Sequence, residues 1–169
     1  MKIVFLDAAT MGDISFEPFE RLGDFVSYPT STPEEAKERV KDVDVLMINK
    51  VLVDKNLIDS APNLKLICIA ATGVNNIDVD YASSKGIPVR NVAGYSTDSV
   101  AQSTFMHILS LIGGGPYFDN SVKSGNYSRS GMFTDLNWTW WELAGKTIGI
   151  IGMGNIGKKV AKIAEAFGM

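Results

Sequence analysis

The residues whose types and spacing can do chemistry lie close to the end of the chain. Gly152, Gly154 and Gly157 make a Gly-x-Gly-x-x-Gly run. An apolar stretch, 147–151, leads into it. A helical pattern follows, with Ile156, Val160, Ile163 and Phe167 at one-face spacing. Strand, glycine turn and helix in this order are what a dinucleotide-binding fingerprint requires. Gly152 would make the tight turn, Gly154 would let the backbone approach a pyrophosphate, and Gly157 would let helix and strand pack closely. The backbone of Gly152, Met153, Gly154, Asn155, Ile156 and Gly157 is therefore the expected phosphate cradle. The free N–H groups and positive end of the helix would supply the attraction. The bland alternative for the same glycines is a glycine-rich turn.

The elements that must position this loop alternate along the chain. Strands are expected at 2–6, 25–28, 44–48, 64–70 and 88–91. A short helix is expected at 16–22, ended by Gly23. Thr32 should cap a charged helix over 33–41, with Pro33 first and Glu34 and Glu35 in its first turn. Asp54 should cap a helix reaching Ser60 and ended by Pro62. Asp78 should cap 79–84, which Gly86 terminates. Strands alternating with helices at this pitch predict an α/β fold with a parallel sheet and right-handed crossovers.

Gly94 breaks the pattern, and a boundary near 95 is expected, giving lobes 1–95 and 96–169. Ser96 or Thr97 should cap a long helix to about Ile112. Val100, Thr104, Ile108 and Leu111 fall on one face, with Ala101, Phe105 and Leu109 beside them. Apolar coverage this broad predicts burial on more than one side. Gly113–Gly115 and Pro116 end that helix, and a short helix over 117–123 follows. Residues 125–137 read as a polar loop. Trp138, Trp140 and Trp141 then read as a packed loop rather than a substrate lid. The stretch 147–151 is apolar on both faces, as in a central parallel strand, yet too few residues remain to flank it. The 169 residues are thus expected to be the N-terminal part of a longer enzyme of about 300 residues, the usual size of two domains.

Composition narrows the function classes. Apolar residues make up 46% and charged residues 21%, values of a folded domain. Net charge is −3, and the charges are scattered, which argues against nucleic acid or an anionic membrane as partner. No apolar run approaches the roughly 18 residues of a membrane helix. The first apolar run, 3–6, is too short for a signal peptide. The single cysteine, Cys68, lies in an apolar stretch and reads as a small buried hydrophobe. A reducing cytoplasm fits these features, and no metal site is expected.

Several stretches carry a family resemblance together. They are Ala71-Thr72-Gly73-Val74-Asn75-Asn76-Ile77-Asp78, Lys85-Gly86-Ile87-Pro88-Val89, the run from Asn91 to Gln102, and the glycine fingerprint. In this order and spacing the chain resembles the D-isomer-specific 2-hydroxyacid dehydrogenases, and within them the glycerate dehydrogenase (hydroxypyruvate reductase) branch. The resemblance implies a flavodoxin-like substrate lobe and the first part of a Rossmann coenzyme domain, with the active site in the cleft between lobes. It implies NAD as cofactor, with NADP open, a small 2-oxo or 2-hydroxy acid as substrate, and a homodimer.

The resemblance also assigns roles. The backbone N–H groups of Thr72, Gly73 and Val74 would hold the substrate carboxylate, in keeping with an anion nest at a strand's carboxyl end. A plain strand-to-helix turn is the other reading of those residues. Lys50, just after the third strand, would face the same place, or is simply solvated. Val100 and Thr104 match positions beside the nicotinamide. The family's Arg, Glu and His lie downstream of the fingerprint, so no catalytic residue is expected in 1–169 and the chain alone is expected to be inactive. Ser103 stands where the family commonly has His. His107, one turn on, is expected to be a packed helix histidine and not catalytic. A non-catalytic dinucleotide-binding regulator and a truncated pseudo-enzyme are the competing functions.

Overall fold

A computed structural model describes residues 1–169, which divide into two units, Met1–Ala93 and Gly94–Met169. The first holds a five-stranded parallel sheet. Its strands are β1 (Lys2–Phe5), β2 (Asp24–Ser27), β3 (Val45–Ile48), β4 (Leu66–Ile69) and β5 (Val89–Asn91), in spatial order β2-β1-β3-β4-β5. That is the flavodoxin-like order, in which the crossovers change direction beside β1. Four helices connect the strands: α1 (Glu17–Glu20), α2 (Pro33–Arg39), α3 (Lys55–Asp59) and α4 (Val79–Ser84).

Register explains the core. Val4 lies opposite Leu46 and Leu46 opposite Ile67, so one row of fully buried side chains crosses three strands. This face packs on Ala36 and Val40 at α2, Leu57 and Ile58 at α3, and Ala82 of α4. Alternation sends Ile3, Phe5, Val45, Met47, Leu66 and Cys68 to the other face. There they border an apolar hollow of about 390 Å³, with Phe16 and Phe19 among its lining. Phe16 meets Phe5 edge-on, with ring centroids 5.8 Å apart. Cys68, expected to be buried, is half-buried beside this hollow, and that burial pushes its thiol pKa up.

Caps set the helix starts. Thr32 and Glu35 form a reciprocal capping box: the Glu35 N–H donates to Thr32 Oγ1 at 3.2 Å, and the Thr32 N–H donates to Glu35 Oε2 at 2.8 Å. The Thr32 bonds hold the Glu35 carboxyl below its ordinary pKa of 4.5. The sign follows: its contribution to stability is complete above that value and is lost as pH falls through the depressed one. Thr32→Ala is expected to destabilise the chain by about 1 kcal/mol, read as a lower urea midpoint at unchanged slope.

The second unit is helical: α5 (Thr97–Gly113), α6 (Gly115–Lys123), α7 (Asn126–Arg129) and α8 (Asn155–Ala166). Its small core joins Ala101 and Phe105 of α5 to Val160 and Ala164 of α8, flanked by Ile148 and Ile150. Phe105 and Phe167 stack at 5.3 Å, and Lys159 pairs with Asp98 at 2.6 Å.

Four expectations fail here. The predicted strand 147–151 forms no ladder: Ile148 and Ile150 are half-buried, but Ile151 is 106% exposed because no strand lies beside it. Helix α5 is fully buried at Ala101 and Phe105 and half-buried at Ile108 and Ile112, leaving Met106, Leu109 and Leu111 exposed. Ser96 is its N-cap residue but makes no side-chain capping bond. Residues 126–129, expected in a loop, form α7, a single turn too short to show periodicity. A 3-10 turn at Ala8–Met11 was invisible for the same reason. No helix is long and apolar enough to cross a membrane.

Candidate functional site

The glycine loop has the shape its spacing predicts. Gly152 sits at φ +94°, a left-handed conformation that favours glycine. Gly157 is buried against the same loop. A Cβ there would lie 3.2 Å from the Gly152 carbonyl carbon and collide with its oxygen, and it would meet Ile150 Cγ2 at 3.3 Å. Gly154 differs: a Cβ there would meet nothing within 4 Å, so open space lies over this residue. Gly154 is also the N-cap of α8 and provides no side-chain cap. The first intrahelical bond runs from the Lys158 N–H to the Gly154 carbonyl at 2.9 Å. The N–H groups of Asn155, Ile156 and Gly157 therefore have no helical acceptor, at the positive end of a twelve-residue helix. Gly152, Met153, Gly154, Asn155 and Ile156 are all exposed. Open space, free donors and positive potential together fit a diphosphate. Along α8 the buried residues are Gly157, Val160 and Ala164, while Ile156 and Phe167 are 39% exposed, so the buried stripe is rotated from the predicted one.

Helix α5 packs along α8. Val100 is exposed and Thr104 half-buried one turn on, its hydroxyl donating to the Val100 carbonyl at 2.8 Å. Ser103 is half-buried. His107 is exposed, against the packed histidine expected: it lies two residues beyond buried Phe105, roughly 200° around the helix. The tryptophans divide. Trp138 stacks on Tyr117 at 5.4 Å and fills the space that a side chain at Gly114 (φ +61°) would need, yet it is still 37% exposed, and Trp140 and Trp141 are more so.

In the first unit, the turn after β4 carries Thr72, Gly73 and Val74. None of their N–H groups has an acceptor within the chain. The turn is tied by other atoms. Thr72 Oγ1 donates to the Val92 carbonyl at 3.0 Å, Asn91 Nδ2 donates to the Thr72 carbonyl at 2.7 Å, and the Val74 carbonyl accepts the Ile77 N–H at 2.9 Å. A Cβ on Gly73 would come 2.9 Å from Asn75 Oδ1. Consecutive free donors at the carboxyl end of a parallel strand suit an anion. Lys50 follows β3, the neighbouring strand, and is exposed and without an ion-pair partner.

Two residues stand out that the sequence did not single out. Asp7, just past β1, is buried, and its carboxylate accepts the N–H groups of Asn49, Lys50 and Val51. Asn76 donates to the carbonyls of Asn49 and Val51. In the sequence Asp7 merely ends the first apolar run. The usable signal was a carboxylate placed directly after a wholly apolar strand, which must find donors if it is buried.

The family model for the D-isomer specific 2-hydroxyacid dehydrogenase catalytic domain matches residues 3–165. The chain is 36% identical over 169 residues to a glycerate dehydrogenase of Methylorubrum extorquens, covering 99% of this chain and 54% of the relative. It is 34% identical to a hydroxypyruvate reductase of Blautia hydrogenotrophica, covering all of this chain and 54% of that one. Among solved structures, D-lactate dehydrogenase from Aquifex aeolicus, complexed with NAD and lactic acid, superimposes with a TM-score of 0.86 at 29% identity, covering 99% of this chain and 49% of the other. An acyclic imino acid reductase in complex with NADPH and D-Arg gives 0.82 at 28%, covering 100% and 54%. The chain spans about half the length of the curated relatives it matches.

Proposed function

This chain belongs to the D-isomer-specific 2-hydroxyacid dehydrogenase family, and from that premise we propose that it is the N-terminal part of an oxidoreductase transferring a hydride between NAD(P)H and a small 2-oxo acid. Hydroxypyruvate, with D-glycerate as its product, is the substrate pair, and glyoxylate is the nearest alternative. Residues 1–95 are the substrate-binding lobe, and 96–169 begin the coenzyme domain.

The observation that carries this reading is the glycine loop: free N–H groups on Asn155, Ile156 and Gly157 beneath open space at Gly154. These donors, with the backbone of Gly152 and Met153, hold the coenzyme diphosphate. Val100 and Thr104 border the nicotinamide. The bound nicotinamide supplies the hydride chemistry. The N–H groups of Thr72, Gly73 and Val74 hold the substrate carboxylate, and Lys50 adds positive charge beside them. Held at its carboxylate, the substrate loses the rotational freedom that would otherwise oppose reaction at its C2. The choice of NAD over NADP turns on a residue about 20 positions beyond the glycines. The reading includes a cytoplasmic location and a homodimer, the dimer supported by the exposed apolar residues of α5.

A kinetic screen of 2-oxo acids with NADH and NADPH tests it on the full-length gene product. Oxidation of reduced coenzyme with hydroxypyruvate is expected, and inactivity toward every 2-oxo acid overturns the proposal. The 1–169 chain by itself is expected to give no turnover with hydroxypyruvate, because the family's Arg, Glu and His lie downstream of the fingerprint. Coenzyme oxidation by the purified chain contradicts that expectation.

A further inference from the structure

We propose that Asp7 and Asn76 are positioning residues for the carboxylate site, fixing the Lys50 turn to the segment that carries Thr72, Gly73 and Val74. The inference rests on the carboxylate reading above. Asp7 is buried, and none of the chain's ion pairs includes it. Its charge is met by backbone donors: the N–H groups of Asn49 at 2.8 Å, Lys50 at 2.5 Å and Val51 at 3.1 Å. Three consecutive donors converging on one carboxylate confine the turn to one conformation, since bonds to an ionised acceptor are the strong ones. In that conformation the Lys50 side chain is exposed.

Asn76 holds the same turn by its acceptors. Its Nδ2 donates to the Asn49 carbonyl at 3.3 Å and to the Val51 carbonyl at 2.8 Å. Its own carbonyl accepts the Val53 N–H at 2.8 Å, beside the Val53–Ile77 bridge. Asn76 lies two residues after Val74. The segment with the free N–H groups and the segment with Lys50 are thus bonded into one piece. The two residues tie the turn on both its donor and its acceptor side. They leave untied the Lys50 ammonium and the N–H groups of Thr72, Gly73 and Val74, which are the groups an incoming carboxylate needs.

The test is titration of the 169-residue chain with D-glycerate, followed at the backbone amides by NMR. In the unaltered chain the Thr72, Gly73 and Val74 amides shift saturably. Asp7→Asn keeps the shape but turns an NH2 toward the backbone donors, and it weakens Kd by about tenfold, the factor lost with one well-placed charged contact. Thr32→Ala is the comparator: it lowers stability through bonds made only between Thr32 and Glu35, and it leaves Kd within about twofold, since sites that share no partner act independently. A general structural role would move both variants alike in proportion to lost stability, and that result overturns the proposal. Unchanged Kd in Asp7→Asn also overturns it while the carboxylate reading stands. No shift at Thr72–Val74 in the unaltered chain removes that reading and the inference with it. If Asp7→Asn does not fold, Asn76→Ala carries the same test: weakened glycerate binding supports the proposal and unchanged binding refutes it.

Discussion

Gly157→Val is expected to abolish dinucleotide binding and to loosen the second unit. Even a Cβ at this position collides with the Gly152 carbonyl oxygen and crowds Ile150. Neither neighbour can yield freely: Gly152 is held at φ +94° in the turn, and α8 is fixed by Val160 and Ala164 in the core. Overpacking a tight site by this much destabilises by about 3 kcal/mol. Taken from ligand affinity, about 3 kcal/mol is more than a hundredfold in Kd. Calorimetric titration with NADH measures it. Binding by the valine variant within a factor of two or three of the unaltered chain would show that this loop is not the diphosphate site. Gly154→Ala is the informative contrast, because a Cβ there meets no protein atom. It should leave the fold intact and weaken dinucleotide binding alone.

Leu46→Ala is expected to destabilise the first unit by about 2–5 kcal/mol, the usual range for a buried leucine. Leu46 is completely buried at the centre of the sheet, between Val4 on β1 and Ile67 on β4. No flexible side chain is at hand to fill the space, since these neighbours are branched and fully buried themselves. Domains are stable by only about 5–15 kcal/mol, so this one change removes much of the margin. Because β3 leads into the Lys50 turn, fraying there also lowers protection of the Asn49, Lys50 and Val51 amides. A urea titration with hydrogen exchange reads both effects. A loss below about 1 kcal/mol would mean that the core collapses around the gap more readily than close packing allows.

Much of this architecture was legible in the residues. Strands β1, β3 and β4 were visible because each is a short apolar run, and β2 and β5 because Gly23, Pro29 and Pro88 bound them. The caps Thr32, Asp54 and Asp78 were visible because their side-chain oxygens accept the N–H three residues on. The fingerprint's geometry followed from its spacing, since Gly157 must be bare to approach Gly152, and the space over Gly154 is open. What escaped notice depends on partners distant in sequence. Asp7 bonds to residues 42 to 44 positions away, a contact that no local pattern announces. The broad apolar coverage of α5 predicts burial, but pattern records what a face can bury and not what covers it, so Met106, Leu109 and Leu111 are exposed. His107 is exposed for a related reason: its apolar neighbours in sequence point elsewhere around the helix. The stretch 147–151 has a strand's composition, but strand structure is a property of pairs, and no strand pairs with it.

The central claim is that backbone amides at the start of α8 grip a diphosphate. A crystal structure of this chain grown with NAD tests it most directly. The account predicts diphosphate oxygens within hydrogen-bonding distance of the Asn155 and Ile156 N–H groups, over the open side of Gly154. Diphosphate density elsewhere on the molecule, with this loop bare, would contradict it.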